Sequence, residues 1–207
     1  MLVDDGDLTE ALRAAIRGDE LGFAQLWRSL QPAVLRYLRV VVGQAAEDVA
    51  SETWLQVSRD LRQFDGNLAA FRVWLFRIAR HRGIDERRRA ARRPESPRDP
   101  DYGNPADPLA PDVAAQVLER AGTAWALELV ATLPPHQAEA VMLRVVAGLD
   151  VAQTAQVLGK RPGAVRVATM RGLRRLAAHP QLQGAAGHGA WTRRVTTPFD
   201  AAQPKAV

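Results

Sequence analysis

A proline-rich stretch near the middle of the chain limits how the whole sequence can fold. Residues 93–111 read RPESPRDPDYGNPADPLAP and contain six of the chain's 13 prolines and four carboxylates, with scarcely an apolar side chain. Such a segment cannot bury enough apolar surface to offset the entropy lost on ordering it. The sequence therefore predicts two small domains, at 1–93 and 112–180, joined by a flexible acidic linker at 94–111, with a disordered tail at 181–207.

The composition favours a helical protein, and the sequence lacks recognisable catalytic motifs. The chain has no cysteine, two tyrosines and five phenylalanines, which excludes disulfides and thiolate chemistry and favours helices over sheets. No apolar run approaches the roughly 20 residues of a membrane span, and no segment resembles a signal peptide. No catalytic set, metal-ligand pattern or phosphate-binding loop is recognisable. We therefore expect an all-α cytoplasmic protein that is not an enzyme, has no cofactor or metal and does not insert into membranes.

Cationic charge is concentrated in two blocks of the sequence. Residues 61–98 contain 11 basic and four acidic side chains, and residues 141–180 contain seven basic and one acidic side chain. The segment between these blocks, 99–140, contains one basic and seven acidic side chains. Two cationic blocks separated by an anionic connector indicate two separate surfaces for a polyanion.

The first domain is predicted to consist of helices, one of them with an acidic face. Pro32 is expected to start a new helix or to kink the one that begins near Glu20. In the next helix, apolar residues recur at helical spacing from Ala46 to Leu61 and form one stripe. The other side of this helix carries Glu47, Asp48, Ser51 and Glu52. Because no histidine lies at metal-ligand spacing, a solvated or partner-facing acidic surface is favoured over a metal or acid–base site.

Aromatic and cationic side chains surround a turn at residues 65–67. In the helix that follows, Phe71 and Trp74 are predicted to point inward. The outer surface of that helix carries Arg72, Arg77, Arg80 and His81. Aromatic rings beside cations are typical of single-stranded nucleic acid binding, so we expect some of Phe64, Phe71 and Trp74 to be core residues and some to line a base pocket. Gly66 is expected to give the turn backbone freedom.

The second domain contains a helix-turn-helix pattern. Asp150 can cap the first helix, Gly159 can adopt the turn, and Pro162 suits the first turn of the second helix. The second helix is predicted to bury Val165, Leu173 and Leu176 and to expose Arg166, Arg171, Arg174 and Arg175. The pattern alone leaves a plain helical hairpin equally open, and the neighbouring cationic charge favours a helix that enters the major groove of DNA.

Two parts of the sequence resemble conserved regions of one protein family, the extracytoplasmic-function group of bacterial RNA polymerase sigma factors. The second conserved region of that group is similar to AEDVASETWLQVSRDLRQFDG and AFRVWLFRIARHRGIDERRR. The fourth conserved region is similar to LVATLPPHQAEAVMLRVVAGLDVAQTAQVLGKRPGAVRVATMRGLRRLA. The resemblance covers about residues 8–178. It implies a dissociable initiation subunit that binds core RNA polymerase, directs it to promoter DNA and helps to open the duplex.

The resemblance also implies roles for individual residues. It implies contact with core polymerase for Glu47, Asp48, Ser51 and Glu52. It implies contact with the minus-ten element for Phe64, Asp65, Asn67, Phe71, Arg72, Arg77, Arg80 and His81. It implies contact with the minus-thirty-five element for Arg161, Arg166, Val167, Met170, Arg171 and Arg174. His81, Arg161 and Val167 depart from residues frequent in the family, and Val167 cannot donate a hydrogen bond. An anti-sigma factor is expected as a further partner.

The alternative interpretation is a stand-alone helix-turn-helix transcriptional regulator. Such a protein would bind duplex operators without polymerase, so a mobility-shift assay with and without core enzyme separates the two interpretations. It would leave the acidic helix and the aromatic turn of the first domain unexplained.

Overall fold

A computed structural model describes residues 5–92 and 122–182 of the chain. In these two ranges the structure is built from helices and contains no strand, which confirms the all-α prediction. The first range forms α1 (Asp5–Ile16), α2 (Glu20–Val42), α3 (Ala46–Asp60) and α4 (Leu68–Arg92). The second range forms α5 (122–131), α6 (Pro135–Val141), a π-helical turn (Met142–Val146), α7 (Val151–Leu158) and α8 (Pro162–Ala177). The predicted linker, and the predicted tail beyond residue 182, lie outside the described residues.

Side-chain caps and one glycine fix the ends of α2 and α4. The Asp19 carboxylate accepts a hydrogen bond from the backbone N–H of Leu21 at 2.9 Å and begins α2. The helix ends at Gly43, whose φ of 61° is favoured only for glycine. Asn67 Oδ1 accepts a hydrogen bond from the backbone N–H of Ala70 at 2.9 Å and begins α4. The predicted turn at residues 65–67 therefore also supplies a helix cap.

Pro32 lies inside α2, so of the two predicted alternatives, a new helix or a kink, the new helix is not observed. Proline removes one backbone donor from the helical hydrogen-bond pattern, and its ring crowds the carbonyl group four residues earlier. Apolar side chains on both sides of it, including Leu30 and Val34, are buried against the rest of the molecule. This packing holds α2 as one helix of 23 residues.

One apolar core contains side chains from both described ranges. In the first range, Tyr37, Phe71 and Phe76 are among the largest fully buried side chains, and the rings of Tyr37 and Phe76 meet edge to face at 5.7 Å. Met142 and Leu143 of the second range belong to the same core. The helices that make this contact are α2 with α6 and α4 with α7. The two halves that the sequence separates therefore pack directly against each other.

The helix-turn-helix predicted in the second half is present. Asp150 and Gln153 form a reciprocal capping box at the start of α7, with both hydrogen bonds at 2.8 Å. Gly159 adopts a φ of 62° in the turn, and Pro162 occupies the first turn of α8. Val165 is buried at the junction of the two helices. These four local predictions are confirmed.

The buried side of α8 differs from the predicted one. Leu173 is 44% exposed, so the prediction that it points inward is wrong. Gly172 is buried in its place, and a Cβ atom there would lie 2.8 Å from Val141 Cγ2. Helices α6 and α8 can approach closely because residue 172 has no side chain. An apolar period in the sequence cannot identify a glycine as the point of contact.

Candidate polymerase and nucleic-acid interfaces

The predicted acidic face of α3 is present, but its carboxylates differ in their surroundings. Glu47 and Asp48 are exposed on the first turn. The Glu47 carboxylate lies 3.5 Å from Arg39 Nη2, while Asp48 has no ion pair with any residue in 5–92 or 122–182. Glu52 is half-buried, and its carboxylate oxygens lie 3.7 Å from Arg82 Nη1 and 3.7 Å from Arg89 Nη1 of α4. Glu47 and Asp48 are thus more available to a partner than Glu52.

An apolar groove of about 400 Å³ lies between α2 and α3, beside the acidic face. Its lining consists of Phe23, Ala24, Trp27, Ser51, Trp54, Leu55 and Ser58. The Trp54 indole is largely buried and donates a hydrogen bond to Gln31 Oε1 at 2.6 Å, whereas Trp27 is 42% exposed and Leu55 is 56% exposed. Sequence reasoning missed the groove, although an apolar Leu55 on an otherwise polar helix face was a usable signal.

The aromatic side chains around the 65–67 turn form one cluster. The rings of Phe64 and Trp74 stack with centroids 5.1 Å apart, and Phe71 contacts both. Phe71 is fully buried in the core, so in this structure its side chain is not available for the predicted contact with the minus-ten element. Phe64 and Trp74 are half-buried and keep part of their surface exposed. The cluster therefore has one core ring and two rings that reach the surface.

Gly66 has a steric role in this turn. Its φ is not in the left-handed region, so the expected need for unusual backbone freedom is not observed. A Cβ atom at this position would lie 2.9 Å from Phe64 Cζ and 3.1 Å from Ala70 Cβ. The absence of a side chain lets the Phe64 ring fold over the turn. Asp65 and Asn67 are both exposed beside it, and the Asn67 side-chain oxygen is occupied by the cap of α4.

The predicted minus-ten cations on α4 divide into free and paired side chains. Arg77 and His81 are exposed. Arg72 donates a hydrogen bond to Asp5 Oδ1 at 2.7 Å. Arg80 Nε donates a hydrogen bond to Glu139 Oε2 at 2.7 Å, which joins α4 to α6 of the other half.

Glu139 is a buried carboxylate at the contact between the two halves. Its side chain is 8% exposed, and its second oxygen lies 3.7 Å from Arg87 Nη2. The nearby Tyr37 hydroxyl is buried without a hydrogen-bond partner among the described residues. Burial, together with the negative charge of Glu139, raises the pKa of the Tyr37 phenol well above its usual value. No local sequence pattern indicates this cluster, because 59 residues separate Arg80 from Glu139.

The predicted minus-thirty-five residues share the outer surface of α8. All of them are exposed, on the side of the helix away from Val165 and Gly172: Arg161, Arg166, Val167, Met170, Arg171 and Arg174. Within the described ranges, Arg166, Arg171 and Arg174 have no carboxylate partner. Arg175, at the edge of this surface, donates to Gln137 Oε1 at 3.3 Å.

Family comparisons match both halves of the chain. The family model described as Sigma-70 region 2 matches residues 26–93, and the one described as Sigma-70, region 4 matches residues 123–176. The ECF RNA polymerase sigma factor ShbA of Streptomyces griseus is 38% identical over 174 residues, which cover 79% of this chain and 90% of that relative. This chain belongs to the extracytoplasmic-function sigma factors. As a sigma factor, it directs RNA polymerase to promoters.

Other relatives of this sigma factor agree with the assignment. ECF RNA polymerase sigma factor SigD of Mycobacterium tuberculosis is 33% identical over 184 residues, which cover 83% of each chain. Among solved structures, CnrH in complex with the cytosolic domain of CnrY has a TM-score of 0.57 at 22% identity and covers 86% of this chain and 98% of that chain. The sigma factor RpoE in complex with the anti-sigma factor NepR from Bartonella quintana has a TM-score of 0.54 at 19% identity. The match covers 75% of this chain and 94% of that chain. The structural similarities support the fold.

The match to region 2 also bears on the alternative of a stand-alone regulator, because it accounts for the acidic helix and aromatic turn that such a protein would not need.

In the described ranges, no helix combines the length and apolar character needed to cross a membrane. The same ranges contain no group of three or more His, Asp or Glu side chains suited to a metal ion.

Proposed function

We propose that this sigma factor uses three surfaces in transcription initiation. The exposed face of α3 binds core RNA polymerase, the 65–67 turn and α4 contact the minus-ten element, and α8 contacts the minus-thirty-five element. The proposal rests on the separation of acidic side chains on α3 from basic side chains on α8. The only exposed carboxylates at the start of α3 are Glu47 and Asp48, while α8 presents three arginines without carboxylate partners among the described residues.

The α3 surface combines the two features of a protein interface. Such interfaces have an apolar centre surrounded by polar and charged side chains. Trp27 and Leu55 supply exposed apolar surface at the groove, and Glu47, Asp48 and Ser51 supply a polar rim. The carboxylates give this rim a negative charge, so the polymerase surface that fits it is cationic with an apolar ridge.

The minus-ten surface supplies rings for stacking and cations for the displaced strand. Pulling a base from the duplex costs a few kcal/mol, which a pocket and nearby cations must offset. The exposed parts of Phe64 and Trp74 offer stacking surface next to Asp65 and Arg77. Strand opening is therefore assigned to this surface. Arg72 and Arg80 can join it only when DNA phosphates replace their present carboxylate partners, Asp5 and Glu139.

The remaining expectations follow from the family. The protein acts in the cytoplasm as an initiation factor and catalyses no reaction of its own. Residues 1–93 and 112–180 form its two functional domains, and the acidic segment 94–111 connects them. An anti-sigma factor, such as the one bound to RpoE of Bartonella quintana, controls its access to polymerase.

The proposal is tested by reconstitution with purified core polymerase. Run-off transcription should yield promoter-specific transcripts that neither component gives alone. The Glu47→Lys/Asp48→Lys variant should bind core at least tenfold more weakly, because like charges across an interface cost several kcal/mol. The matched control, Glu10→Lys/Asp60→Lys, makes the same charge change at exposed carboxylates away from the groove.

Two results would contradict different parts of this proposal. Unchanged core affinity of a folded Glu47→Lys/Asp48→Lys variant would remove polymerase binding from the α3 face. A wild-type protein that shifts promoter DNA equally well with and without core would contradict the proposed mechanism as a whole.

A further inference from the structure

Helix α8 presents apolar side chains where a DNA-binding helix is expected to present polar ones. Val167, Met170 and Leu173 are 42%, 43% and 44% exposed. They are three of the seven large apolar residues that are exposed in the described ranges. The cost of exposing apolar surface to water indicates that a partner covers some of it in the working complex.

The packing of α8 fixes which of these residues point directly away from the protein. Gly172 and Val165 hold the helix against α6 and α7, since a Cβ at residue 172 would already overlap Val141. Because each residue of an α-helix turns by about 100°, Val167 and Met170 lie on the side opposite Val165 and Gly172. Leu173 lies on the flank, nearer the buried side.

The backbone can also come close to a ligand at this outer side. Gly163 lies one turn before Val167 on the same side of α8, and a Cβ added there would meet nothing within 4 Å. Packing within the described protein therefore does not require a glycine at this position. A bare backbone at the first turn allows the N-terminal half of the helix to insert deeply into a groove, which is how recognition helices contact base edges.

The surroundings of the apolar pair favour a nucleic acid over a protein as the partner. Arg166 lies on one side of Val167 and Met170 around the helix, and Arg171 lies on the other. Neither arginine has a carboxylate partner among the described residues, and the only acidic residue between positions 141 and 180 is Asp150. A surface of this charge is attracted to phosphates on both sides of a groove.

We propose that Val167 and Met170 read the C5-methyl groups of thymines in the minus-thirty-five element. In the major groove, the methyl group of thymine is the only apolar group on a base edge. Neither side chain offers a strong hydrogen bond donor, so hydrogen-bonded readout by this pair is excluded. Arg166 and Arg171 are placed to contact guanines or phosphates on either side. The element should therefore carry at least one thymine, on either strand, that faces this pair.

This inference rests on the proposed role of α8 and is tested with the complete holoenzyme. After run-off mapping has identified the upstream element, each of its thymines on both strands is replaced, one at a time, by deoxyuridine, which lacks only the methyl group. Binding is measured by competition against the unmodified promoter. Loss of one buried methyl contact should weaken binding about fourfold, the equivalent of about 0.8 kcal/mol per buried carbon.

Alanine variants identify the side chain that reads the methyl group. In Val167→Ala or Met170→Ala, the affinity ratio between thymine and deoxyuridine promoters should fall to about one at the position that the truncated side chain contacts. Leu173→Ala is the matched control, because Leu173 is equally exposed on the same helix but lies on its flank. It should keep the fourfold ratio.

Three outcomes would overturn the inference. The wild type could bind every deoxyuridine promoter as tightly as the thymine promoter, or the ratio could survive in both Val167→Ala and Met170→Ala. These two variants could also bind both promoters as tightly as the wild type does and yet lose transcription by the same factor on each, which would indicate a protein partner. In each case Arg171→Ala tests the underlying function separately, because that variant should still lose promoter affinity if α8 lies in the groove.

Discussion

The two cationic surfaces of this sigma factor differ in what their arginines contact. On α8, Arg166, Arg171 and Arg174 are exposed and have no carboxylate partner in the described part of the chain. On α4, Arg72 and Arg80 each donate a hydrogen bond of 2.7 Å to a carboxylate. The α8 surface can meet DNA as it stands. On α4, Arg77 is exposed, but Arg72 and Arg80 must first exchange carboxylates for phosphates.

The partner of Arg80 links this exchange to the contact between the two halves. Glu139 belongs to α6, in the half of the chain that carries the helix-turn-helix. Its side chain is 8% exposed, unlike the exposed carboxylates of most surface ion pairs, which contribute little to stability. Freeing Arg80 for DNA therefore means breaking this side-chain contact between the halves. Binding at α8 has no such requirement.

The largest expected effect is at the unpaired surface. Replacing Arg171 with Ala should weaken holoenzyme binding to the minus-thirty-five element by about 1 to 3 kcal/mol, or about fivefold to 160-fold, if it contacts a base edge. Competition binding over a range of salt concentrations measures this loss. If Arg171 contacts only a phosphate, all sequences should weaken alike and the salt slope should fall by about one.

Two further variants decide whether the contrast between the surfaces holds. Arg17→Ala removes the same charge from an exposed position at the end of α1 and should leave promoter binding unchanged. Arg80→Ala should cost less than Arg171→Ala, because wild-type Arg80 must first give up Glu139. An equal or larger loss in Arg80→Ala would mean that the pairing seen on α4 does not restrain DNA binding.

A smaller effect is expected from weakening the contact between the halves. In Glu139→Gln the side chain keeps its shape but loses its charge, so Arg80 is held less strongly. The free variant should bind a single-stranded minus-ten oligonucleotide about fivefold more tightly, the equivalent of about 1 kcal/mol, because a hydrogen bond to a neutral acceptor is weaker by about that amount than one to a carboxylate. Fluorescence anisotropy with a labelled oligonucleotide measures this change.

The control for this prediction is Glu86→Gln. Glu86 lies 3.5 Å from Arg89 of the same helix, so its loss should not affect the contact between the halves. An equal gain in both variants would reflect only reduced negative charge. A gain of the same size for duplex DNA bound by α8 would also contradict the prediction, because α8 does not depend on this contact.

Features that depend on interactions between neighbouring residues could be predicted from the sequence, and features that depend on distant residues could not. Asp150, Gly159 and Pro162 act through neighbours within one turn, and their predicted roles are confirmed. Leu173 and Gly172 are adjacent in the sequence, so a small error in helical phase exchanges the exposed residue for the buried one. Gly172 has no side chain to contribute to an apolar pattern.

The features that sequence reasoning missed depend on residues far apart in the chain. Trp54 donates to Gln31, 23 residues away, and its packing defines the groove between α2 and α3. The family resemblance implies a DNA contact for Phe71, yet the core surrounds its side chain completely. Periodicity reports which side of a helix is apolar, and it cannot report how many neighbours cover that helix.

The smallest expected effect is at Tyr37, beneath the contact between the halves. Its hydroxyl is buried without a partner among the described residues, so the folded protein loses the hydration of this group without gaining a hydrogen bond. Tyr37→Phe keeps the edge-to-face contact with Phe76. It should leave the free energy of unfolding in urea unchanged or raise it by up to about 1 kcal/mol. A loss of more than that would indicate that the hydroxyl has a partner in solution.

Tyr37 also predicts that the stability of the wild type and of Tyr37→Phe depends differently on pH. Burial and the charge of Glu139 raise the pKa of Tyr37 in the folded protein, whereas a tyrosine in the unfolded chain loses its proton near pH 10. Above about pH 10 the unfolded chain therefore releases a proton that the folded protein keeps, and stability falls as pH rises. Tyr37→Phe cannot ionise at this position, so its stability should fall less between pH 9 and 11 than that of the wild type, as measured by urea unfolding at each pH. Parallel curves for the two proteins would mean that solvent reaches the Tyr37 hydroxyl in the folded protein.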